Sequence, residues 1–537
     1  MADADLIFDF IVVGGGSAGS LLANRLSADP RNKVLLLEAG GSGKDFSYDI
    51  PFIAGKLFEF ERNNWAFRSQ PQKGLNNRSM YFPRGKMLGG SFIFNGAQYI
   101  RGNPTDFDHW RQLGNAGWSY DDVLPYFKRF ESYEGGDGPF HREDGGLPAG
   151  KPLSVSPLTR AYLHACSQAG YPMNDDFNGA EQEGFGIYDF NIRDGRRVTT
   201  AKAFLRPAMS RPNLRVIVNA LVCRVTFEGR RATGVEFEVG GERKFAVAKR
   251  ETVLSAGSFN SPKLLMLSGI GAAEDLKPHG IPVLHELKGV GQNLQDHVNA
   301  SVAYEATQPV SFAKTLRWHT LTLEMMNALI RKKGQLTQSP LEAGGFFSTK
   351  PGAVAPECQA VFIPYYPGKG LKVWMPWADR LEGHSFVVHV WPNRPESRGS
   401  MTLQSADPKV PPLFDPNFLS EESDLALTRE AIRATRAILE QDALAPFRGT
   451  ELAPGADVRS DEEIDHYIRT TAGIGHHTCG TAKMGPDRMA VVDETLKVHG
   501  IEGLRVADAS IMPTMVSGNT NATTIMIAEK ASAMLLS

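Results

Sequence analysis

Residues 9–19 read DFIVVGGGSAG, an apolar run that leads directly into a cluster of glycines. The run at 10–13 predicts a buried strand, residues 20–27 predict a helix, and the second apolar run at 34–37 predicts the next strand of a parallel sheet. An acidic residue, Glu38, follows that second run directly. Strand, glycine turn, helix and strand in this order form one βαβ unit, so the chain opens with a doubly wound α/β fold.

The glycines have the spacing of a dinucleotide site. Gly14 allows the tight turn, Gly16 lets the backbone approach a pyrophosphate, and Gly19 lets the helix pack closely on the strand. Amides at the helix start then face the phosphates. Glu38 can hydrogen-bond ribose hydroxyls and would repel a 2′-phosphate, which favours FAD or NAD over NADP. A glycine-rich surface turn would not explain Glu38. The predicted nucleotide contacts in this unit are Gly14, Gly16, Ser17, Ala18, Glu38 and Ala39.

The length, charge and cysteine spacing of the chain limit the classes of function that it can have. A chain of 537 residues is too long for one core and indicates about two or three domains. A net charge of −2 provides no broad basic field for nucleic acid and no polybasic membrane patch, so a small molecule is the expected partner. No run of about 18 apolar residues offers a membrane span, and the early first strand leaves no room for a signal peptide, which makes the cytoplasm the expected location. No metal site is expected, because neither redox nor zinc spacing occurs among Cys166, Cys223, Cys358 and Cys479.

The first βαβ unit lacks the strands to complete a sheet, so later segments must return to it. Strand-like, β-branched stretches occur at 214–226, 233–238, 245–256 and 281–285. The final stretch is the strongest candidate for a return. It predicts a short strand at 503–506, a turn at 508–515 and an apolar helix at 522–536.

The middle of the chain has a different amino-acid composition. Between 301 and 469 the sequence is aromatic and proline-rich, and it includes an acidic helical stretch at 420–442. This change indicates a second domain inserted into the first, with a ligand cleft between them. We predict a nucleotide-binding domain from residues 1–150, 195–300 and 470–537, and a substrate-binding domain from residues 151–194 and 301–469.

Further motifs extend this interpretation over the whole chain. They are GKMLGGS at 85–91 followed by Asn95, GSFNSPKLLMLSGIG at 257–271, VGQNLQDH at 290–297, RPESRGSMTLQSADP at 394–408, HTCGTAKMG at 477–485 and VADASIMPTMVSGNTNATTIMIAEKAS at 506–532. The first two resemble the two signatures of the glucose-methanol-choline oxidoreductase family. The others are similar to later motifs of that family and occur in the same order.

The resemblance implies a fold, a cofactor and its contacts. The expected fold class is α/β, a Rossmann-like FAD-binding domain interrupted by an α+β substrate-binding domain with an antiparallel sheet. Gly89 and Gly90 would let the backbone pass against the flavin ring, and the turn at Ala256-Gly257 would lie against the adenine half of FAD. Either turn could instead be purely structural. Outside the first βαβ unit, the implied FAD contacts are Trp65, Arg84, Gly89, Gly90, Asn95, Gly96, Ala97, Val222, Ala256, Gly257, Asp508, Ala509, Thr520 and Asn521.

The same motifs imply a catalytic pair. The family places its base three residues before the Gly-Thr of HTCGTAKMG, which is His477. His476 is the alternative, because in an extended chain adjacent side chains point to opposite faces and only one histidine could meet the cofactor. A second polar residue lies ten residues before the glutamate of the last helix, which gives Asn519. An asparagine can orient a hydroxyl but cannot take its proton. Asn519 or Asn521 could instead cap that helix.

The implied reaction is oxidation of an alcohol to an aldehyde or ketone. Neutral His477 would remove the hydroxyl proton while the carbon-bound hydrogen leaves as hydride to flavin N5. The start of the last helix would aim its positive end at the charge that develops on the flavin. Two alternatives are a lyase that acts on cyanohydrins without net flavin reduction and an FAD-binding protein without catalysis. The electron acceptor, either oxygen or a quinone or dye, and the oligomeric state are left open.

One stretch departs from the family. Small residues, often serines, usually follow Gly90-Ser91, but Phe92, Ile93 and Phe94 stand here. The two phenylalanines could narrow the cavity, line it for an aromatic or apolar substrate, or pack backwards into the core, and such a departure could also be engineered. Some choline-oxidising relatives attach FAD through a histidine at the position of Phe94. We therefore expect non-covalent FAD.

The sequence gives a weaker indication of the substrate. Choline would need an aromatic cage and a carboxylate for its trimethylammonium group. No paired carboxylate stands out, and the candidate rings could equally be packing residues; they are Tyr365, Tyr366, Trp374 and Trp377. The expected substrate is a neutral primary or aromatic alcohol.

Overall fold

Two large sheets organise the chain. The computed structural model describes residues 6–43, 46–53, 57, 61–366, 373, 375 and 382–537. The first sheet contains, in spatial order, Leu214–Ile217, Val34–Leu37, Ile7–Val13, Glu242–Leu254, Arg231–Val239 and Ala220–Glu228, and Leu504–Val506 pairs beside it with Glu242–Leu254.

The long strand Glu242–Leu254 joins two pairing patterns. Its second half is parallel to Ile7–Val13 and to Leu504–Val506, whereas its first half is antiparallel to Arg231–Val239. The end of the chain therefore returns to the sheet that the first strand begins, as the sequence predicts. The helix Ser17–Leu26 begins earlier than predicted, because it starts directly at the glycine turn.

One predicted strand is wrong. Within 281–285, only the last residue belongs to a strand, the two-residue His285–Glu286. Ile281 donates its N–H back to Leu276 O at 3.3 Å in a turn. Pro282 has no N–H to donate to a ladder. The apolar residues at this point pack on the first core from a loop.

The second sheet is antiparallel throughout its pairings, as expected. Its spatial order is Arg448–Ala453, Val298–Ala306, Ser385–Pro392, Cys358–Ile363, Ala343–Phe347 and Gly184–Ile187, and Gly473–Ile474 pairs beside it with Val298–Ala306. Two helices, Pro157–Gln168 and Glu422–Leu439, pack against it and share its hydrophobic core. The sheet strand that starts at Val298 begins slightly before the boundary placed at 301, and the domain limits stay a prediction.

Shorter elements connect the two sheets. The remaining α-helices are Pro104–Gln112, Tyr120–Phe130, Arg206–Ala208, Gly257–Leu267, Ala273–Leu276, Trp318–Met326 and Asp461–Thr471. Helical turns of other types are Phe46–Asp49, Pro51–Ile53, Lys73–Leu75, Gly90–Ile93, Ala201–Leu205, Lys277–His279, Phe312–Lys314, Asn327–Arg331, Gln335–Thr337, Asp442–Leu444 and Ala509–Ile511. The short strands are Phe67–Arg68, Tyr81–Phe82, Glu131–Tyr133, Leu147–Ala149, Ile192–Arg193, Arg196–Arg197, Ile270–Gly271, Ser400–Thr402 and Leu413–Asp415.

The last helix, Asn521–Leu536, is central to the molecule. It packs against Ser17–Leu26 and Tyr120–Phe130, and buried residues lie on nearly all its sides. Arg25 Nε donates to the fully buried Glu529 carboxylate at 3.0 Å, which ties this helix to the first one. The two helices also begin close together, because Ser17 Oγ donates to Asn521 Oδ1 at 2.7 Å.

Across the described part of the chain, no helix has the length and apolar character needed to cross a membrane. In that same part, no group of three or more His, Cys, Asp or Glu side chains could hold a metal ion.

Candidate active site

A cavity of about 230 Å³ runs from the glycine turn of the first strand to the segments that carry His477 and Asn519. It begins at the carboxyl ends of the parallel strands, which is where ligands bind in doubly wound sheets. His477 and Asn519 line it, and every predicted FAD contact except Gly89 and Ala97 does so too. The predicted contacts that line it are Gly14, Gly16, Ser17, Ala18, Glu38, Ala39, Trp65, Arg84, Gly90, Asn95, Gly96, Val222, Ala256, Gly257, Asp508, Ala509, Thr520 and Asn521.

Glycine backbone builds the first end of the cavity. Gly14 has a φ of +99°, and a Cβ there would lie 2.6 Å from Ser255 O. A Cβ on Gly19 would lie 1.8 Å from Gly14 O, so the helix packs against the turn as the sequence predicts. A Cβ on Gly16 would meet only Gly90 Cα, at 3.7 Å, and would otherwise stand in the cavity. The chain thus keeps space open beside its helix start.

Glu38 is held in place by backbone amides. Its two carboxylate oxygens accept from Gly15 N and Gly40 N, each at 2.8 Å. Burial raises the pKa of this carboxyl, and the two amide bonds oppose that effect. A fixed acceptor at the end of the second strand is what a ribose hydroxyl requires.

Two predicted contacts lie behind the cavity wall. A Cβ on Gly89, whose φ is +103°, would meet the Ile93 side chain at 3.1 Å rather than open space. Ala97 has a φ of 58° and donates its N–H to Asn95 Oδ1 at 3.0 Å. These residues shape the wall on which Gly90 and Asn95 stand. A Cβ on Gly90 would lie 2.7 Å from Gly16 Cα, so this glycine permits contact between two backbone loops.

The side chains of Arg84 and Asp508 bind other parts of the protein. Arg84 Nη1 donates to His476 O at 3.2 Å, and Nη2 donates to Thr478 Oγ1. Asp508 Oδ2 accepts from Gly257 N at 2.8 Å, which fixes the second helix start. Both residues line the cavity, but their charged ends hold its walls together.

Both histidines of the 476–477 pair line the cavity, and the extended chain assumed for this pair is wrong. The chain is not extended there, because His476 has a φ of 63°. The buried Asp296 carboxylate sets this bend by accepting from His477 N at 2.7 Å and from Thr478 Oγ1 at 3.0 Å. The two rings therefore do not alternate across a strand.

A chain of hydrogen bonds fixes the proton positions on His477. His297 Nε2 lies 2.8 Å from the Asn393 backbone carbonyl oxygen, which can only accept, so His297 Nε2 carries the proton. A neutral His297 then accepts at Nδ1, and its partner at 2.8 Å, His477 Nδ1, must donate. This leaves the lone pair of His477 on Nε2, where Asn519 Nδ2 donates at 3.0 Å.

The electrostatic surroundings keep these imidazoles neutral. Burial lowers the pKa of His297 to about 4. The pKa of His477 is also held well below its usual range, chiefly by burial and further by His297, His476 and Arg84. Near neutral pH the site therefore presents an uncharged base with its free lone pair at Nε2.

Asn519 is oriented by a side chain from the second sheet. Gln359 Nε2 approaches Asn519 Oδ1 at 3.4 Å, which favours the rotamer whose amide donates to His477. Neither Asn519 nor Asn521 caps the last helix, because its N-cap is Thr520 and no side chain closes it. Asn521 Oδ1 instead accepts from Ser17 Oγ at 2.7 Å.

Three residues that lie next to His477 or Asn519, without lining the cavity themselves, were not predicted from the sequence. His297 was visible only as the last letter of VGQNLQDH, and no local pattern indicates that it meets His477. Gln359 and Trp391 lie on neighbouring strands of the second sheet, and the Trp391 ring centroid is 6.1 Å from that of His477. Strand residues of this kind have no sequence signature as site residues.

The unusual phenylalanines have different positions. Phe94 packs backwards against Tyr48, Met87 and Ile93, away from the cavity. Phe92 is buried and also lines the cavity. Of the rings considered for choline, Trp374 and Trp377 lie outside the described residues. Tyr365 and Tyr366 pack in apolar clusters and do not line the cavity.

The site fits FAD in its shape and in its donors. A Cβ on Gly257, whose φ is +82°, would meet no protein atom within 4 Å, so both this helix start and that at Gly16 face open cavity with bare backbone. A doubly wound nucleotide site that continues into a pocket with a neutral histidine is the arrangement of a dinucleotide-dependent oxidoreductase.

Comparison with known proteins agrees with this class. Residues 8–299 and 395–528 match two family models described as GMC oxidoreductase. The chain is 43% identical to the oxygen-dependent choline dehydrogenase of Brucella melitensis, covering 98% of this chain and 95% of the relative. It is 44% identical to the mitochondrial choline dehydrogenase of Homo sapiens, with 98% and 89% covered. The crystal structure of pyridoxine 4-oxidase from Mesorbium loti superposes with a TM-score of 0.87 at 32% identity, covering 98% of both chains.

The chain belongs to the GMC oxidoreductase family. The predicted fold, the cofactor FAD and the class of FAD-dependent alcohol oxidoreductase are confirmed.

Proposed function

We propose that His477 is the base that takes the alcohol proton, through Nε2. The observation that carries this proposal is the hydrogen-bonded series from the Asn393 carbonyl through His297 to His477. It gives His477 the one tautomer whose lone pair faces Asn519 and the cavity. When Nε2 takes a proton, His477 keeps its Nδ1–H bond to His297, so the new positive charge is stabilised on the side away from the substrate.

Asn519 positions the substrate hydroxyl. Its amide donates to the same Nε2 at 3.0 Å, so an alcohol oxygen that displaces this bond would lie between the two side chains. When bound, FAD supplies the acceptor for the carbon-bound hydrogen. The N-terminus of the last helix faces the cavity through Thr520, Asn521 and Thr524, and its partial positive charge favours the negative charge of a reduced ring.

We infer non-covalent FAD binding through the predicted contacts. Phe94 offers no nucleophilic atom and points into a core cluster. Precipitation with acid should therefore release the flavin into the supernatant. Flavin that remains with the precipitate would contradict this inference.

The substrate we propose is a primary alcohol with a neutral apolar or aromatic body. Aromatic side chains from Trp65, Phe67, Phe92 and Phe259 contribute to the cavity wall. Among the described lining residues, the two carboxylates are Glu38 and Asp508, and both accept from backbone amides of the nucleotide-binding turns. Choline, named for the relatives, is the competing substrate because of their 43–44% identity.

One experiment tests substrate and reaction together. The purified holoenzyme is mixed anaerobically with 1-butanol, benzyl alcohol or choline, and the visible flavin absorbance is followed. We expect bleaching by the neutral alcohols at lower concentration than by choline. Bleaching by choline alone would overturn the proposed substrate class, and the absence of bleaching by all three compounds would place the substrate among other alcohols. Admission of air and then of a quinone shows which acceptor restores the colour.

A further inference from the structure

The helix Trp318–Met326 and the turn Asn327–Arg331 that continues it are apolar on two sides. On the inner side, Leu321 and Met325 pack against a small cluster that includes Phe52 and Phe312. The outer side carries large apolar residues as well. A helix that is apolar all round is normally covered on all sides.

The outer residues form one face, which we call the 318–330 face. Its members are Trp318 (57% exposed), Leu323 (59%), Met326 (54%), Leu329 (47%) and Ile330 (75%). Trp318, Leu323 and Met326 are the exposed apolar residues of the helix, and Leu329 and Ile330 continue this face in the turn that follows. Single exposed apolar residues are ordinary, but a contiguous group indicates an interaction site.

The charges around this face select its partner. Residues 314–333 contain five Lys or Arg residues, of which Arg317 is buried, and one acidic residue, although the whole chain has a net charge of −2. The acid, Glu324, accepts from Gln335 N at 2.7 Å, and Lys332 lies 3.9 Å from Asp194. Three basic residues, Arg331, Lys332 and Lys333, follow the apolar residues directly.

We propose that the 318–330 face docks on the surface of a lipid bilayer that contains anionic headgroups. Apolar residues of an interfacial helix enter the headgroup boundary, tryptophan is favoured there, and neighbouring basic residues bind lipid phosphates. The whole-chain charge predicts no such patch because it averages over this local cluster. None of the five face residues lines the active-site cavity, so docking and catalysis are separable.

Vesicle flotation of the holoenzyme tests this proposal. Vesicles of phosphatidylcholine with and without phosphatidylglycerol are used, and the test variant is Leu323→Glu with Ile330→Glu. The matched control is Leu153→Glu with Val354→Glu, which replaces two exposed apolar residues elsewhere, 73% and 93% exposed. We expect the wild type and the control to float with anionic vesicles. The test variant should bind these vesicles at least about tenfold more weakly. Unchanged flavin content and turnover show that each variant is folded.

A second variant separates the charge contribution. Arg331→Gln with Lys333→Gln should weaken binding to anionic vesicles. Because the variant has lost these charges, adding about 1 M salt, where the screening length is about 3 Å, should weaken its binding only slightly further. Failure of the wild type to bind either vesicle would overturn the proposal. The wild type could instead self-associate without binding vesicles, and Leu323→Glu with Ile330→Glu could abolish that self-association. This result would assign the 318–330 face to contact with a second copy of the chain.

Discussion

The two ends of the cavity are built in different ways. At the nucleotide end, backbone atoms of glycine turns form the surface, and Gly14, Gly16 and Glu38 come from one short stretch of sequence. At the other end, His477 and Asn519 form the surface with their side chains, and His297 contacts His477 from outside the cavity. These three residues come from segments far apart in the chain. On the function proposed above, changes at the nucleotide end should affect FAD binding, and changes at the histidine end should affect the reaction.

His477→Ala should give the largest difference between the rate of flavin reduction and FAD binding. We expect flavin reduction by alcohol to slow by about 100-fold or more, because the base is lost. FAD content should stay unchanged, because the nucleotide end is intact. Stopped-flow absorbance under anaerobic conditions measures the rate. His476→Asn is the control, since asparagine tolerates the left-handed backbone there. Unchanged reduction in His477→Ala would remove the base from this position.

This difference also sets how much the sequence could predict. The first βαβ unit follows local sequence patterns for strand, turn and helix. The secondary structure of residues 7–37 and the roles of their glycines could therefore be predicted from the sequence alone. His477 and Asn519 could be located only through motif register. The bend at His476 and the contact from His297 depend on Asp296, which bonds both loops at once. No local pattern encodes a contact between segments 180 residues apart.

Asn519→Leu keeps the size of the side chain but removes the amide that donates to His477 Nε2. We expect flavin reduction to slow by about 10- to 100-fold, because the substrate hydroxyl loses its second polar contact. Single-turnover kinetics checks this rate. Asn521→Leu breaks only the bond from Ser17 and should change FAD binding more than the reduction rate. The opposite ranking of the two variants would move the substrate contact to Asn521.

His297 is a positioning residue whose effect depends on hydrogen bonding. His297→Leu removes two buried hydrogen bonds, one to His477 Nδ1 and one to the Asn393 carbonyl. Loss of the first, at about 1.4 kcal/mol, should lower kcat about tenfold with KM nearly constant. His297→Gln can accept from His477 Nδ1 and donate to the Asn393 carbonyl, so it should restore most of the rate. Equal loss in both variants would mean that ring packing, rather than the tautomer, is what His297 provides.

A weaker effect is expected at the nucleotide end from Glu38→Gln. The amide of glutamine retains one acceptor oxygen, so one of the two backbone bonds is lost, at a cost of about 1 kcal/mol. FAD affinity should fall about fivefold, and the reduction rate of the loaded enzyme should not change. Fluorescence titration of the apoprotein with FAD measures the dissociation constant. A lower reduction rate with normal affinity would show that the two ends are coupled.

The smallest effect concerns pH. A base must be neutral to act, and a histidine is neutral above its pKa. Because burial holds the pKa of His477 well below its usual range, the base is already neutral in mildly acidic solution. Flavin reduction should therefore vary by less than about twofold between about pH 6 and pH 8, the range in which an ordinary histidine titrates. An acid limb with a midpoint near 6.5 in stopped-flow rates would indicate that the proton acceptor is a group more exposed than the buried His477.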